Sequence, residues 1–155
     1  VKIVRMERGR RFDYGGAQFA VLAPAADYAP AAEPRNNDSL VMRVTYRQRS
    51  VILGGDMERP IESQLVSGGF VEHSDILKVA HHGSKTSTTE PFLEAVHPAF
   101  AIISAGLDNL YGHPHADVVQ RLRQAKIEVL RTDQMGAVTV RTDGNRLEVE
   151  ARTGI

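Results

Sequence analysis

A mixed β-sheet with helices on one face, in the α/β to α+β range, is the fold this sequence predicts. Two observations predict it. Strand patterns come first as a meander of hairpins, and from residue 59 onward they alternate with helical patterns. The segments 51–55 and 76–80 are apolar on both faces, as strands near a sheet centre are. With 155 residues, 42% hydrophobic and 25% charged, the chain reads as one folded domain over 1–155 and not as a disordered segment. Nineteen basic residues balance nineteen acidic ones, so no overall charge draws it to nucleic acid or anionic lipid. Cysteine is absent, which excludes disulfides, thiolate metal sites and a cysteine nucleophile. No apolar run approaches the roughly 20 residues that cross a bilayer.

The elements follow in order. Residues 1–24 alternate in a β manner, opened by Val1, Ile3 and Val4, punctuated by Gly15-Gly16, and continued by the apolar run Phe19 to Ala23. Pro24 to Pro34 is rich in alanine and proline and reads as a long loop closing on Asn36-Asn37-Asp38-Ser39. Leu40–Tyr46 and Ser50–Gly55 form a hairpin around Gln48. A helix runs from Arg59 to Ser67, with Pro60 in its first turn and Gly68-Gly69 as its stop. Asp75–Ala80 is a strand running into His81-His82-Gly83-Ser84. A second helix starts at Thr88-Thr89-Glu90-Pro91 and ends before Pro98, followed by a strand over Phe100–Ala105. A third helix spans about Ala116 to Gln124, with Val118, Val119 and Leu122 on one face. After a short strand at Val129–Arg131, Ala137–Arg141 and Arg146–Ala151 pair across a turn at Thr142–Asn145.

Four polar clusters fall at strand ends or just beyond them, where open α/β sheets place their sites. Asp56 follows two glycines that let the backbone turn tightly; it is a ligand candidate or an ordinary turn aspartate. His81 and His82 end a strand side by side, so one can face a site while the other packs. His113 and His115 flank Pro114 on a stiffened loop and lose little entropy around a ligand. Asn37, within its Asn-Asn-Asp-Ser cluster, reads as turn chemistry first and as a substrate contact second. Imidazole with carboxylate is a ligand set for zinc, manganese or iron, and suits a two-metal hydrolase. A glycine-flanked serine elbow, a phosphate-binding loop and a dinucleotide glycine pattern are all missing.

The order of these motifs resembles the metallo-β-lactamase superfamily, and more narrowly the C-terminal hydrolase domain of ComEC-type competence proteins and their soluble relatives. The resemblance is carried by residues 36–41, Leu53-Gly54-Gly55-Asp56, the run from Leu77 to Ser87, Tyr111-Gly112-His113-Pro114-His115 and the segment 131–138. It implies half of an αββα sandwich with a metal site on its edge. By that match Asp56 is a carboxylate bridging two divalent ions, zinc or manganese, with His81 or His82 as a ligand. His113 and His115 lie near the substrate, holding a phosphate or passing a proton to the leaving group, and Ser84 and Lys85 assist anion binding. One element of the superfamily pattern is missing: no His-x-(His/Asp)-x-Asp-His run exists, and residues 1–35 hold no histidine. The chain is therefore expected to be a fragment whose metal sphere is completed by an N-terminal half of the same domain.

Three functions are weighed on this basis. The first is phosphodiester or DNA hydrolysis linked to DNA uptake, on the extracytoplasmic side of a bacterial inner-membrane protein. The second is a cytoplasmic hydrolase of a small ester, amide or phosphorylated molecule. The third is a non-catalytic binding domain. Arg5, Arg8, Arg10 and Arg11 form a local basic cluster that either touches phosphates or solvates a strand edge. A sheet face without cover also predicts self-association of the chain alone.

Overall fold

The computed structural model describes residues 3–30 and 32–152. Its main sheet has seven strands in sequential order: β1 (Arg11–Tyr14), β2 (Ala17–Ala23), β3 (Val41–Tyr46), β4 (Arg49–Leu53), β5 (Ile76–Lys78), β6 (Phe100–Ile103) and β7 (Glu128–Arg131). The first four run antiparallel as hairpins, and β4 to β7 are parallel. Helices α1 (Arg59–Ser67), α2 (Glu90–Val96) and α3 (Ala116–Gln124) make the crossovers between the parallel strands. A short α4 (Thr132–Met135) follows β7 and leads into a separate hairpin, β8 (Ala137–Thr142) with β9 (Leu147–Arg152). The mixed α/β sheet expected from the sequence is the fold observed.

One core joins the helices to the sheet. Ile52, Leu77, Ala101 and Ile103 from the strands meet Leu65 of α1, Phe92 and Val96 of α2, and Val118 and Leu122 of α3, all buried. The spacing of Val118, Val119 and Leu122 puts them on one face of α3, as the periodicity requires.

The strand register also shows what lies on the other face. One cross-strand row reads Phe12, Phe19, Val44, Val51, Ile76, Phe100, and the next reads Val21, Met42, Leu53, Lys78, Ile102, Leu130. Val21, Ile76 and Leu130 are buried there, yet they stand outside the helix-side core. Most of the remainder is half-buried, and Phe12 is 38% exposed, stacked on Phe19 with ring centroids 4.8 Å apart. Both faces are thus apolar through the middle of the sheet, with charges such as Arg49 and Glu128 towards its margins and Lys78 set within the apolar middle of one face.

One expectation needs correction. Ile3 and Val4 belong to no strand and are exposed; Val1 lies outside the described residues. Pairing with β2 starts only at Arg8–Arg10, where Gly9 N–H donates to Val21 and Val21 N–H donates to Arg10. The Asn36-Asn37-Asp38 cluster is a single 3₁₀ turn, in line with the turn chemistry read from its sequence, and the Arg35 N–H before it donates to the Asp38 carboxylate at 2.7 Å.

Asp75 anchors the amino end of β5. Its carboxylate accepts from Ser50 N–H and from the Arg49 guanidinium, each at 2.8 Å. Burial alone would raise its pKa, but the Ser50 amide and Arg49 outweigh it and hold the carboxyl below the usual range. A group lowered on folding stabilises the fold above its unfolded value of about 3.9 and loses that contribution as pH falls through the folded value. Urea midpoints measured from pH 5 downward are expected to fall less steeply in Asp75→Asn than in the wild type.

Candidate functional site

The carboxyl ends of the parallel strands gather the polar residues singled out above. After β4 the chain turns at Gly55 (φ +54°), where an added Cβ would come within 2.8 Å of Ser39 Cβ. The close approach lets Ser39 Oγ accept from Asp56 N–H at 3.0 Å, which fixes where the carboxylate projects. After β5, His81, His82 and Gly83 all have positive φ (47°, 53° and 82°). Two successive non-glycine residues in the left-handed region cost on the order of 1–3 kcal/mol each, a strain that clusters at functional sites. Pro114 packs against Gly83 so closely that a Cβ there would lie 2.6 Å from Pro114 Cβ. His115 N–H donates to Gly83 at 2.9 Å, so the two histidine loops lock together through backbone.

His82 and Asp56 form the centre of this rim. Ser104, just past β6, accepts from His82 Nδ1 at 2.6 Å, because a carbonyl can only accept. That bond puts a proton on Nδ1, so that in the neutral ring the lone pair sits on Nε2, 3.8 Å from Asp56 Oδ1. Both side chains are about half exposed, so a ligand can reach them. His81 turns the other way, as expected of adjacent histidines. Its Nδ1 lies 3.6 Å from Glu58 Oε1, and its ring meets His113 edge-on at 5.6 Å. His113 is gripped by Asn109, which accepts from its N–H and donates to its carbonyl. Its Nδ1 is buried with no hydrogen-bond partner among the described residues. Burial pushes the His113 imidazole below its ordinary pKa, and His81, His82 and His115 push the same way, which favours the neutral ring.

The remaining sequence candidates land elsewhere. His115 caps α3, its Nδ1 accepting from Asp117 N–H at 3.4 Å. Asn37 Oδ1 accepts from Glu58 N–H at 2.8 Å and so steadies Glu58. Ser84 is buried and pairs with Thr86 Oγ1, while exposed Lys85 lends its carbonyl to Arg59. Three rim residues escaped the sequence reading. Glu58 links Asn37, Thr86 and His81, and Ser104 orients His82. Lys78 stands in the apolar row between Leu53 and Ile102; burial lowers its pKa while the Asp56 carboxylate draws it back up. Lysine in an otherwise apolar strand was the available signal.

Beside His82 and His113 opens a cavity of about 390 Å³ walled by Ser104, Gly106, Asn109 and Tyr111. A larger one of about 610 Å³ lies by His73, Asp75, His97 and Arg121 and shares no residue with the rim. In kind, Asp56 and His82 fit a divalent cation: a carboxylate faces an imidazole nitrogen whose other nitrogen is bound to a carbonyl. In number they fall short, since no group of three or more such side chains converges among the described residues.

The fold and this rim define an open mixed α/β domain with a carboxylate–imidazole site at the carboxyl ends of its parallel strands. No family model matches the chain. It is 43% identical over 141 residues to ComE operon protein 3 of Bacillus subtilis, covering 91% of this chain and 18% of that protein. Recombination protein 2 of Haemophilus influenzae is 37% identical over 94% of the chain, and Competence protein ComA of Neisseria gonorrhoeae 36% identical over 83%; each is covered over 18% of its own length. These relatives are competence-related proteins. The chain spans about a fifth of their length.

Proposed function

We propose that this chain carries part of a metal-dependent phosphodiester hydrolase site in a DNA-uptake protein of the competence type, with a metallo-β-lactamase-like fold. The observation that carries the reading is the 3.8 Å approach of His82 Nε2 to Asp56 Oδ1, with Nδ1 held by Ser104. Asp56 and His82 would hold a zinc or manganese ion. When bound, such an ion polarises a phosphoryl oxygen and makes water acidic enough to attack near neutral pH. The chain's own residues do the rest. Lys78 steadies Asp56 and offers positive charge to an anionic substrate. His113, neutral and close to the pair, accepts a proton or orients the substrate. The cavity walled by Asn109 and Tyr111 takes the group next to the phosphate. The competence-related relatives support a role in DNA uptake, and this reading takes DNA as the substrate and places the domain on the extracytoplasmic side; no helix among the described residues is long and apolar enough to cross a membrane.

Further donors come, in this reading, from another part of the longer protein, which also covers the apolar face bearing Phe19, Val44, Val51 and Phe100. Without that cover the chain alone self-associates. Light scattering is expected to show a mass above the 17.0 kDa of one chain, and a monodisperse monomer would contradict this. The function itself is tested on the longer protein with DNA and manganese or zinc. Cleavage that a chelator stops and the metal restores is expected; chelator-resistant or absent cleavage would contradict it. The shortage of a third donor favours one other reading, a binding domain without catalysis. Metal-dependent turnover excludes it.

A further inference from the structure

The basic cluster near the start of the chain is not absorbed by the site above. Three of its four arginines, Arg8, Arg10 and Arg11, line a groove of about 380 Å³ at the β1–β2 edge, together with Arg43 and Phe70 and a single carboxylate, Glu72, while Arg5 lies apart and bonds the Tyr28 carbonyl. Arg43 forms part of the lining and is already committed: its guanidinium bonds Ser74, Thr45 and the His73 carbonyl and pairs with Glu72 at 3.4 Å. That pair uses the groove's only negative charge. Arg8 is fixed but not neutralised. Its Nε donates to the Leu22 carbonyl at 2.9 Å, and its guanidinium lies over the Phe70 ring, 4.4 Å from the centroid. Cation–π stacking of this sort holds a guanidinium in place while keeping its charge. Arg10 and Arg11 are exposed, and among the described residues no carboxylate pairs with Arg8, Arg10 or Arg11.

Three unpaired guanidinium groups at one groove fit an anion of several charges. A single phosphate would need a concave pocket that surrounds it, whereas Arg10 and Arg11 stand exposed on or beside the edge strand. Repeated phosphates along a chain match that layout.

We propose that the groove formed by Arg8, Arg10, Arg11 and Phe70 binds the phosphate backbone of a nucleic-acid strand and holds it against the domain away from the cleavage site. The proposal rests on the reading above for its ligand, DNA, and not for its chemistry.

Binding is measured by fluorescence anisotropy on the whole 155-residue chain with a labelled single-stranded oligonucleotide of about 20 nucleotides, longer than a usual single-strand site. EDTA is present, so no hydrolysis contributes. Wild type is expected to bind, and Arg10→Ala with Arg11→Ala to weaken binding about tenfold or more at low salt. The slope of log K against log salt should fall by about 0.7 for each arginine lost. The pair Arg141→Ala with Arg146→Ala, an equal charge change on the β8–β9 hairpin, should leave affinity and slope within about twofold of wild type. Circular dichroism melts check that both variants fold. No binding by wild type, no loss in the Arg10/Arg11 variant, or equal loss in both variants would overturn the proposal. Hydrolysis by the longer protein is read separately, so either result can fail while the other stands.

Discussion

Asp56→Ala is expected to lower DNA hydrolysis by the longer protein about a hundredfold or more, with little effect on folding. Loss of an outer hydrogen-bond partner of a metal ligand already costs about 10–100-fold, and a donor facing the ion should cost at least as much. The side chain is 43% exposed, and the bond from the Asp56 amide to Ser39 Oγ, which fixes the turn, survives in the alanine variant. A stability change within about 0.5 kcal/mol is expected for such a site. Turnover and urea midpoints measured side by side separate the two effects. Unchanged turnover would remove Asp56 from the site.

The second large effect is on stability, at Glu62. This carboxylate is fully buried on α1 and accepts from the backbone N–H groups of Thr88 and Thr89, the latter at 2.8 Å. It therefore caps α2 from another helix and pins the segment that follows the histidine pair. Glu62→Ala strips two buried donors of their acceptor and leaves a cavity, a loss of about 3 kcal/mol or more. Glu62→Gln keeps the volume and one carbonyl oxygen, so its loss should be smaller. Urea denaturation of both variants measures this. An alanine variant within about 1 kcal/mol of wild type would show that water replaces the carboxylate without penalty.

Much of the architecture was legible because local signals agreed with the fold. Pro60 in a first turn, Gly68-Gly69 at a helix end and the apolar stripe of α3 each name an element without tertiary information. Ile3 and Val4 misled because an apolar pair reads as a strand only if a partner strand reaches it, and β2 pairs no earlier than Arg8. The four-residue α4 is too short to show a period. At the rim, Asp56 and the histidine pair were legible since glycines and strand ends mark where side chains project. Their partners were not. Glu58, Ser104 and Lys78 act through contacts 21 to 28 residues away in sequence or through sheet register, which no local pattern encodes. His115 shows the converse: a residue whose motif suggested chemistry is held at a helix start, its ring accepting a backbone N–H.

The central claim is that Asp56 and His82 share one divalent cation through His82 Nε2. Nitrogen NMR of the imidazole side chains during a zinc titration of the longer protein, which supplies the remaining donors, tests it most directly. His82 Nε2 is expected to move on zinc addition while Nδ1 keeps its proton, and the movement to be lost in Asp56→Ala. Zinc that leaves His82 unmoved and shifts only His73 or His97 would contradict it.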